Sequence, residues 1–95
     1  MKNLEEVEEF FEEKYQQNSE FKKTWDDMEL QYQLAREIIK RRNELGLTQK
    51  ELAERIGTEQ SVISRIENGQ NCSLETINKI AESLNSKPRI HFEAI

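Results

Sequence analysis

Residues 46–69 read Gly-Leu-Thr-Gln-Lys-Glu-Leu-Ala-Glu-Arg-Ile-Gly-Thr-Glu-Gln-Ser-Val-Ile-Ser-Arg-Ile-Glu-Asn-Gly, and this stretch decides the fold. Its apolar residues recur at helical spacing in two short runs. Leu47, Leu52, Ala53 and Ile56 make one stripe; Val62, Ile63 and Ile66 make the other. Gly57 lies between them, where a helix stops and the chain turns. Two such stripes pack only if the helices cross. The opposite face of the second helix, carrying Gln60, Ser61, Ser64 and Arg65, is then free to enter a major groove.

The flanking residues supply the punctuation. Thr48 and Glu51 fit a capping box, so the first of the two helices starts at Thr48. Thr58 is placed to cap the second, running from Glu59 to about Glu67, and Asn68 and Gly69 end it. Ser73 caps a further helix through Leu84, whose buried face is expected to comprise Leu74, Ile77, Ile80, Ala81 and Leu84. Upstream, Leu34, Ala35, Ile38, Ile39 and Leu45 keep the helical period up to a cap at Gly46. Earlier still, Leu4, Val7, Phe10, Phe11 and Tyr15 recur among glutamates, and Phe21, Trp25, Met28 and Tyr32 form an aromatic stripe after a break at 16–19. One helix or two over residues 19–45 both fit this pattern. After Pro88, Ile90, His91, Phe92, Glu93, Ala94 and Ile95 alternate as a strand does. A lone strand needs a partner, so this tail predicts a symmetric homodimer joined through Ile90, Phe92 and Ile95, the alternative being a frayed tail packed on the last helix.

Composition narrows the function. The 95 residues include three glycines and one proline, which favours helix throughout and leaves room for one domain with an appendage. Cys72 is the sole cysteine and His91 the sole histidine, so neither a disulfide nor a structural metal site is expected. No Ser-His-Asp set, phosphate loop or dinucleotide fingerprint occurs, and the expectation is a non-enzyme without catalytic residues or cofactors. No leader or membrane-spanning run is visible, which predicts a cytoplasmic chain with no membrane partner. The formal charge of -5 looks wrong for a DNA binder, but it is unevenly spread. Residues 1–33 carry four lysines against ten acids, whereas residues 34–95 carry ten basic residues against nine acids. Exposed charges farther apart than about 8 Å are largely screened at physiological salt, so an acidic arm pointing away does not prevent docking.

Residues 34–84 resemble the Cro/CI-type, or xenobiotic-response-element, helix-turn-helix family, on Gly46-Leu-Thr-Gln-x-Glu-Leu-Ala-x-x-Ile-Gly57 and then Gln60-Ser-x-Ile-Ser-Arg-Ile-Glu-Asn-Gly69. The resemblance implies that the second helix lies in the major groove of double-stranded operator DNA. Gln60, Ser61 and Arg65 would then reach base edges, with Glu59 and Ser64 at the margin of that face, Gln49 and Asn68 on phosphates through side chains or backbone amides, and Thr58 also among the DNA-binding residues. It also implies that Arg42 is no phosphate contact, but pairs with Glu67 and ties the preceding helix to the end of the reading helix. The side-chain chemistry agrees independently: Arg65 can donate twice to guanine and Gln60 can bond adenine twice.

Taken whole, the chain is similar to the HigA group of antitoxins, on its acidic arm, its terminal strand and the segment Ser19-Glu-Phe-Lys-Lys-Thr-Trp25. That likeness implies a partner: a basic, RelE/HigB-like ribonuclease toxin that cuts messenger RNA, held in a toxin–antitoxin heterotetramer, with the shared operon autorepressed. An acidic arm suits such a surface. Phe10, Phe11, Tyr15, Phe21 and Trp25 would anchor the toxin or pack the arm onto the domain, and both readings stand, as do a solvated or a partner-facing role for the glutamates. Rival functions are a stand-alone Cro/CI-type repressor and an interaction-only inhibitor built on the same fold. The expected architecture is therefore all-α: an acidic helical extension over residues 1–33, a five-helix helix-turn-helix domain over 34–86 and a dimerising strand over 87–95.

Overall fold

The computed structural model describes Glu5, Glu6, Glu8, Glu9 and residues 28–95. Within residues 28–95 lie four helices: α1 (Glu29–Glu44), α2 (Gln49–Ile56), α3 (Gln60–Glu67) and α4 (Leu74–Ser83). Phe10, Phe11, Tyr15, Phe21 and Trp25 fall outside the described residues, as does most of the question of one helix or two over 19–45. The boundary expected at 33/34 falls inside α1.

Each helix starts and stops for a local reason. The α2 capping box is formed: the Glu51 amide donates to Thr48 Oγ1 at 3.0 Å and the Thr48 amide to Glu51 Oε1 at 3.1 Å. Those bonds to the charged form, the backbone one foremost, hold the Glu51 carboxyl below its ordinary value. Ser73 caps α4 by accepting from the Thr76 amide at 3.1 Å. All four helices end alike, with paired bonds that fold the chain back over the last turn: Leu47 to Arg42 and Gly46 to Asn43, Thr58 to Ala53 and Gly57 to Glu54, Gln70 to Arg65 and Gly69 to Ile66, Ser86 to Ala81 and Asn85 to Glu82. This closure requires a left-handed residue, supplied by three glycines and, at the end of α4, by Asn85 at φ 53°.

The core joins Ile38, Leu47, Leu52, Ala53, Ile63, Ile66, Ile80 and Leu84, with Leu34, Leu45, Ile56, Val62 and Cys72 packed around it. Helix α2 packs on α3, α3 on α1, and α2 on α4. Two arginines grip the far end of α4: Arg41 Nε donates to the Leu84 carbonyl at 3.0 Å and Arg55 Nη1 to the Ser83 carbonyl at 3.2 Å. Positive charge is favoured there because the last carbonyls of a helix are unpaired and the dipole ends negative.

Four expectations need correction. Helix α3 begins at Gln60, and its cap residue is Glu59 with no side-chain cap bond, so Thr58 does not cap it. The chain leaves the turn in extended form at Glu59, which delays the first helical residue by one. Leu74 is exposed, because the first residue of α4 projects beyond the core that Ile80 and Leu84 enter. No fifth helix occupies the rest of the domain, since residues after Leu84 hold Pro88 and no apolar stripe at helical spacing. No strand forms either: Ile90, Phe92 and Ile95 are exposed, and among the described residues no neighbouring strand offers the ladder bonds that extended backbone needs.

Candidate nucleic-acid interface

Helix α3 has two unlike faces. Ile63, Ile66 and Glu67 are buried, whereas Gln60, Ser61 and Arg65 are exposed and Ser64 is half-buried between them. Positions 60, 61, 64, 65 and 68 share one side of a helix with 3.6 residues per turn. They form a polar strip facing outward, with exposed Glu59 at its leading end and exposed Asn68 at its trailing end. Arg65 makes no side-chain hydrogen bond or ion pair with any of the described residues and is free to donate. Asn68 Nδ2 is turned back to the Ser64 carbonyl at 2.8 Å, closing the last turn of α3. Thr58 is half-buried in the turn before the strip.

Beneath the strip lies the most polar part of the interior. Arg42 is wholly buried and meets Glu67 through two parallel bonds, Nε to Oε2 at 2.8 Å and Nη2 to Oε1 at 3.0 Å. Its Nη1 donates to the Leu47 carbonyl at 2.8 Å and reaches Asn43 Oδ1 at 3.4 Å, so every nitrogen of the guanidinium is engaged. Gln49, half-buried at the first position of α2, donates from Nε2 to Glu67 Oε1 at 3.0 Å. Its Oε1 accepts from Gln60 Nε2 at 3.5 Å. A chain of bonds thus runs from the interior of α1, through the end of α3 and the start of α2, to the first residue of the exposed strip.

The loop after α3 is held just as closely. Gly69 sits at φ +94°, and a Cβ on it would run into the ring of buried Tyr32. Nothing in the local sequence around Gly69 signals this contact, because Tyr32 is 37 positions away. The Gln49 to Glu67 bond was equally hidden, spanning 18 positions. Of the acidic arm, Glu5, Glu6, Glu8 and Glu9 are exposed, and Glu8 pairs with Arg36 of α1 at 2.6 Å. Burial pushes the Cys72 thiol up, away from the reactive thiolate. Among the described residues no group of His, Cys, Asp and Glu could hold a metal ion, and no helix is long and apolar enough to cross a membrane.

The arrangement offers two hydrogen-bonding side chains, Gln60 and Arg65, on a rigidly seated helix narrow enough for a major groove. In comparison with known proteins, a family model described as helix-turn-helix matches residues 38–90. No curated protein and no solved structure matches the chain.

Proposed function

The chain belongs to this helix-turn-helix family, which makes it a DNA-binding protein of the transcription-regulator kind, and we propose that it is an autorepressing antitoxin that reads its operator with α3. The observation carrying the DNA-reading part is the exposed strip of Gln60, Ser61 and Arg65 on a helix whose other side is locked by Arg42 and Glu67. Gln60 and Arg65 contact base edges, Ser61, Ser64, Thr58 and Glu59 border them, and Gln49 and Asn68 lie against phosphates. Each copy reads one half-site, with paired reading helices about 34 Å apart on one face of the duplex. Exposed Ile90, Phe92 and Ile95 bring two copies together, since apolar side chains left in water favour mutual burial.

The antitoxin part rests on the layout: an arm with six glutamates among its first 13 residues, ahead of a domain with a slight positive balance. Carboxylates on an amphipathic arm complement a protein that grips RNA phosphates, and aromatic anchors such as Phe10, Phe11, Tyr15, Phe21 and Trp25 suit the apolar centre of such an interface. The test is co-expression with a small basic ribonuclease, taken from a reading frame beside this one if one is found there. Growth rescue by the full chain, lost on removing residues 1–27, supports the antitoxin; rescue by the shortened chain removes the arm from the mechanism. Operator binding without any such partner leaves a stand-alone repressor, and rescue without operator binding leaves an inhibitor only.

A further inference from the structure

We infer that the tail of a second copy docks along α4, with Ile90 and Phe92 on the apolar ridge of Leu74, Ile77 and Ala81 and Arg89 beside Glu82, the two copies exchanging tails. The inference rests on the reading that the exposed tail pairs two copies, and it adds the surface that receives each tail.

Helix α4 carries two apolar rows, and only one is covered. Ile80 and Leu84 enter the core. Leu74, Ile77 and Ala81, at i, i+3 and i+7, line the flank beside them; Leu74 is 67% exposed and the other two are half-buried. The chain's own tail does not return to this flank. Arg41 of α1 donates to the Leu84 carbonyl and to Ser86 Oγ, both at 3.0 Å, and Pro88 biases Lys87 toward extended backbone, so the tail is led away from α4. Residues 85–95 are all exposed, Phe92 by 90%. One chain thus leaves both an apolar ridge and an apolar tail in water, and two copies related by a twofold axis each supply what the other lacks. Pairing tail against tail would bury Ile90 and Phe92 but leave the ridge wet.

Spacing and charge fix how the tail lies. Leu74 to Ala81 rises about 10 Å along a helix and Ile90 to Ala94 spans about 13 Å when extended, so one stretch matches the other. In that form Ile90, Phe92 and Ala94 point one way, and Arg89, His91 and Glu93 the other. The row of α4 next to the ridge holds exposed Glu75, Asn78 and Glu82. Glu75 already pairs with Lys79 at 3.4 Å, whereas Glu82 makes no side-chain hydrogen bond or ion pair with any of the described residues, and neither does Arg89. A tail running antiparallel to α4 sets Arg89 beside Glu82, Ile90 on the small Ala81, Phe92 on Ile77 and Ala94 by Leu74. Glu93 then falls by the Glu75–Lys79 pair, where Lys79 offsets it. The opposite direction would bring Glu93 against Glu82, like charge against like.

The experiment is sedimentation equilibrium of the full chain over a concentration series, with folding of each variant checked by thermal melting. All substituted positions are exposed, so the fold is expected to survive. Leu74→Ser and Phe92→Ser should each weaken pairing by about tenfold or more. Glu82→Arg and Arg89→Glu should each weaken it by about threefold or more at low salt, since the contact occurs twice per dimer, and the double reversal should restore it. Pairing that falls with Phe92→Ser but is untouched by Leu74→Ser and Glu82→Arg overturns the inference and leaves tail joined to tail. A double reversal no better than its single variants overturns the exchange register. Wild type that stays monomeric, or pairing indifferent to Phe92→Ser, removes the tail from dimerisation altogether, which separates the failure of that reading from the failure of the docking on α4.

Discussion

Two ion pairs anchor helix α1, and they differ in everything except length. Arg42 meets Glu67 at 2.8 Å with both side chains 5% exposed or less. Arg36 meets Glu8 at 2.6 Å with both at 40% or more. The first pair has every guanidinium nitrogen bonded and passes a further bond to Gln49, whereas Arg36 Nε is buried with no partner among the described residues. Distance therefore says little about consequence. Around Arg42 water is excluded, and loss of one partner strands a charge; around Arg36 solvent screens the attraction and takes over either partner when the other leaves.

The sharpest break of that comparison is Glu67→Ala, expected to destabilise the fold by about 3–5 kcal/mol because it takes the paired carboxylate away from a wholly buried guanidinium. Chemical denaturation would measure it, and a change below about 1 kcal/mol would mean that water reaches the pair. Next comes Gly69→Ala, which forces a side chain into the Tyr32 ring at a positive φ. A loss on the order of 1–3 kcal/mol in the same assay is expected, together with a shift in the near-ultraviolet signal of Tyr32. Arg65→Ala places a third arginine beside the other two: exposed and outside any ion pair among the described residues, it should leave the melting temperature unchanged. Operator affinity should nonetheless fall by about 1–3 kcal/mol, with relaxed preference at one base pair, and an unchanged titration would remove Arg65 from the reading face.

Thr48→Ala probes an exposed contact made by the backbone. Loss of the cap should destabilise by about 1 kcal/mol. The cap also carries a pH signature: Glu51 is more acidic in the folded chain than the ordinary 4.5, so its contribution is complete above that value and disappears as pH falls through the lower folded value. Wild type should lose stability across that acid window more steeply than Glu51→Gln, and parallel curves would deny the carboxylate its role. The smallest effect belongs to the arm. Glu8→Gln should change stability by less than about 1 kcal/mol, and the difference should vanish in high salt. A double-mutant cycle with Arg36→Gln measures the coupling, and a value rivalling that of Arg42 and Glu67 would erase the contrast drawn between them.

The helix-turn-helix unit was legible from local signals because its start and stop residues act within one turn. Thr48 and Glu51 cap α2 through neighbours three positions apart, and Gly57 ends it with bonds that reach back no farther than Ala53. The apolar period placed Leu52, Ala53, Ile63 and Ile66 inside and left Gln60, Ser61 and Arg65 outside. The same rules misplaced Leu74 and the cap of α3. Periodicity carries no information about where a core ends, and Thr58 and Glu59 could both have begun the helix by composition. The tail misled for another reason: Ile90 to Ile95 alternates as a strand would, but alternation supplies no second strand to bond with.

By itself the chain of residues determined helical content, the crossing of α2 on α3 and the outward strip, since each follows from interactions along a few consecutive positions. Only the folded packing decided that Tyr32 closes over Gly69, that Arg41 and Arg55 hold the end of α4, and that Gln49 bridges Glu67 to Gln60. These contacts join residues 11 to 43 positions apart. Such pairings depend on how helices are oriented about a shared core, and that orientation is set by the simultaneous burial of all four rather than by any segment alone.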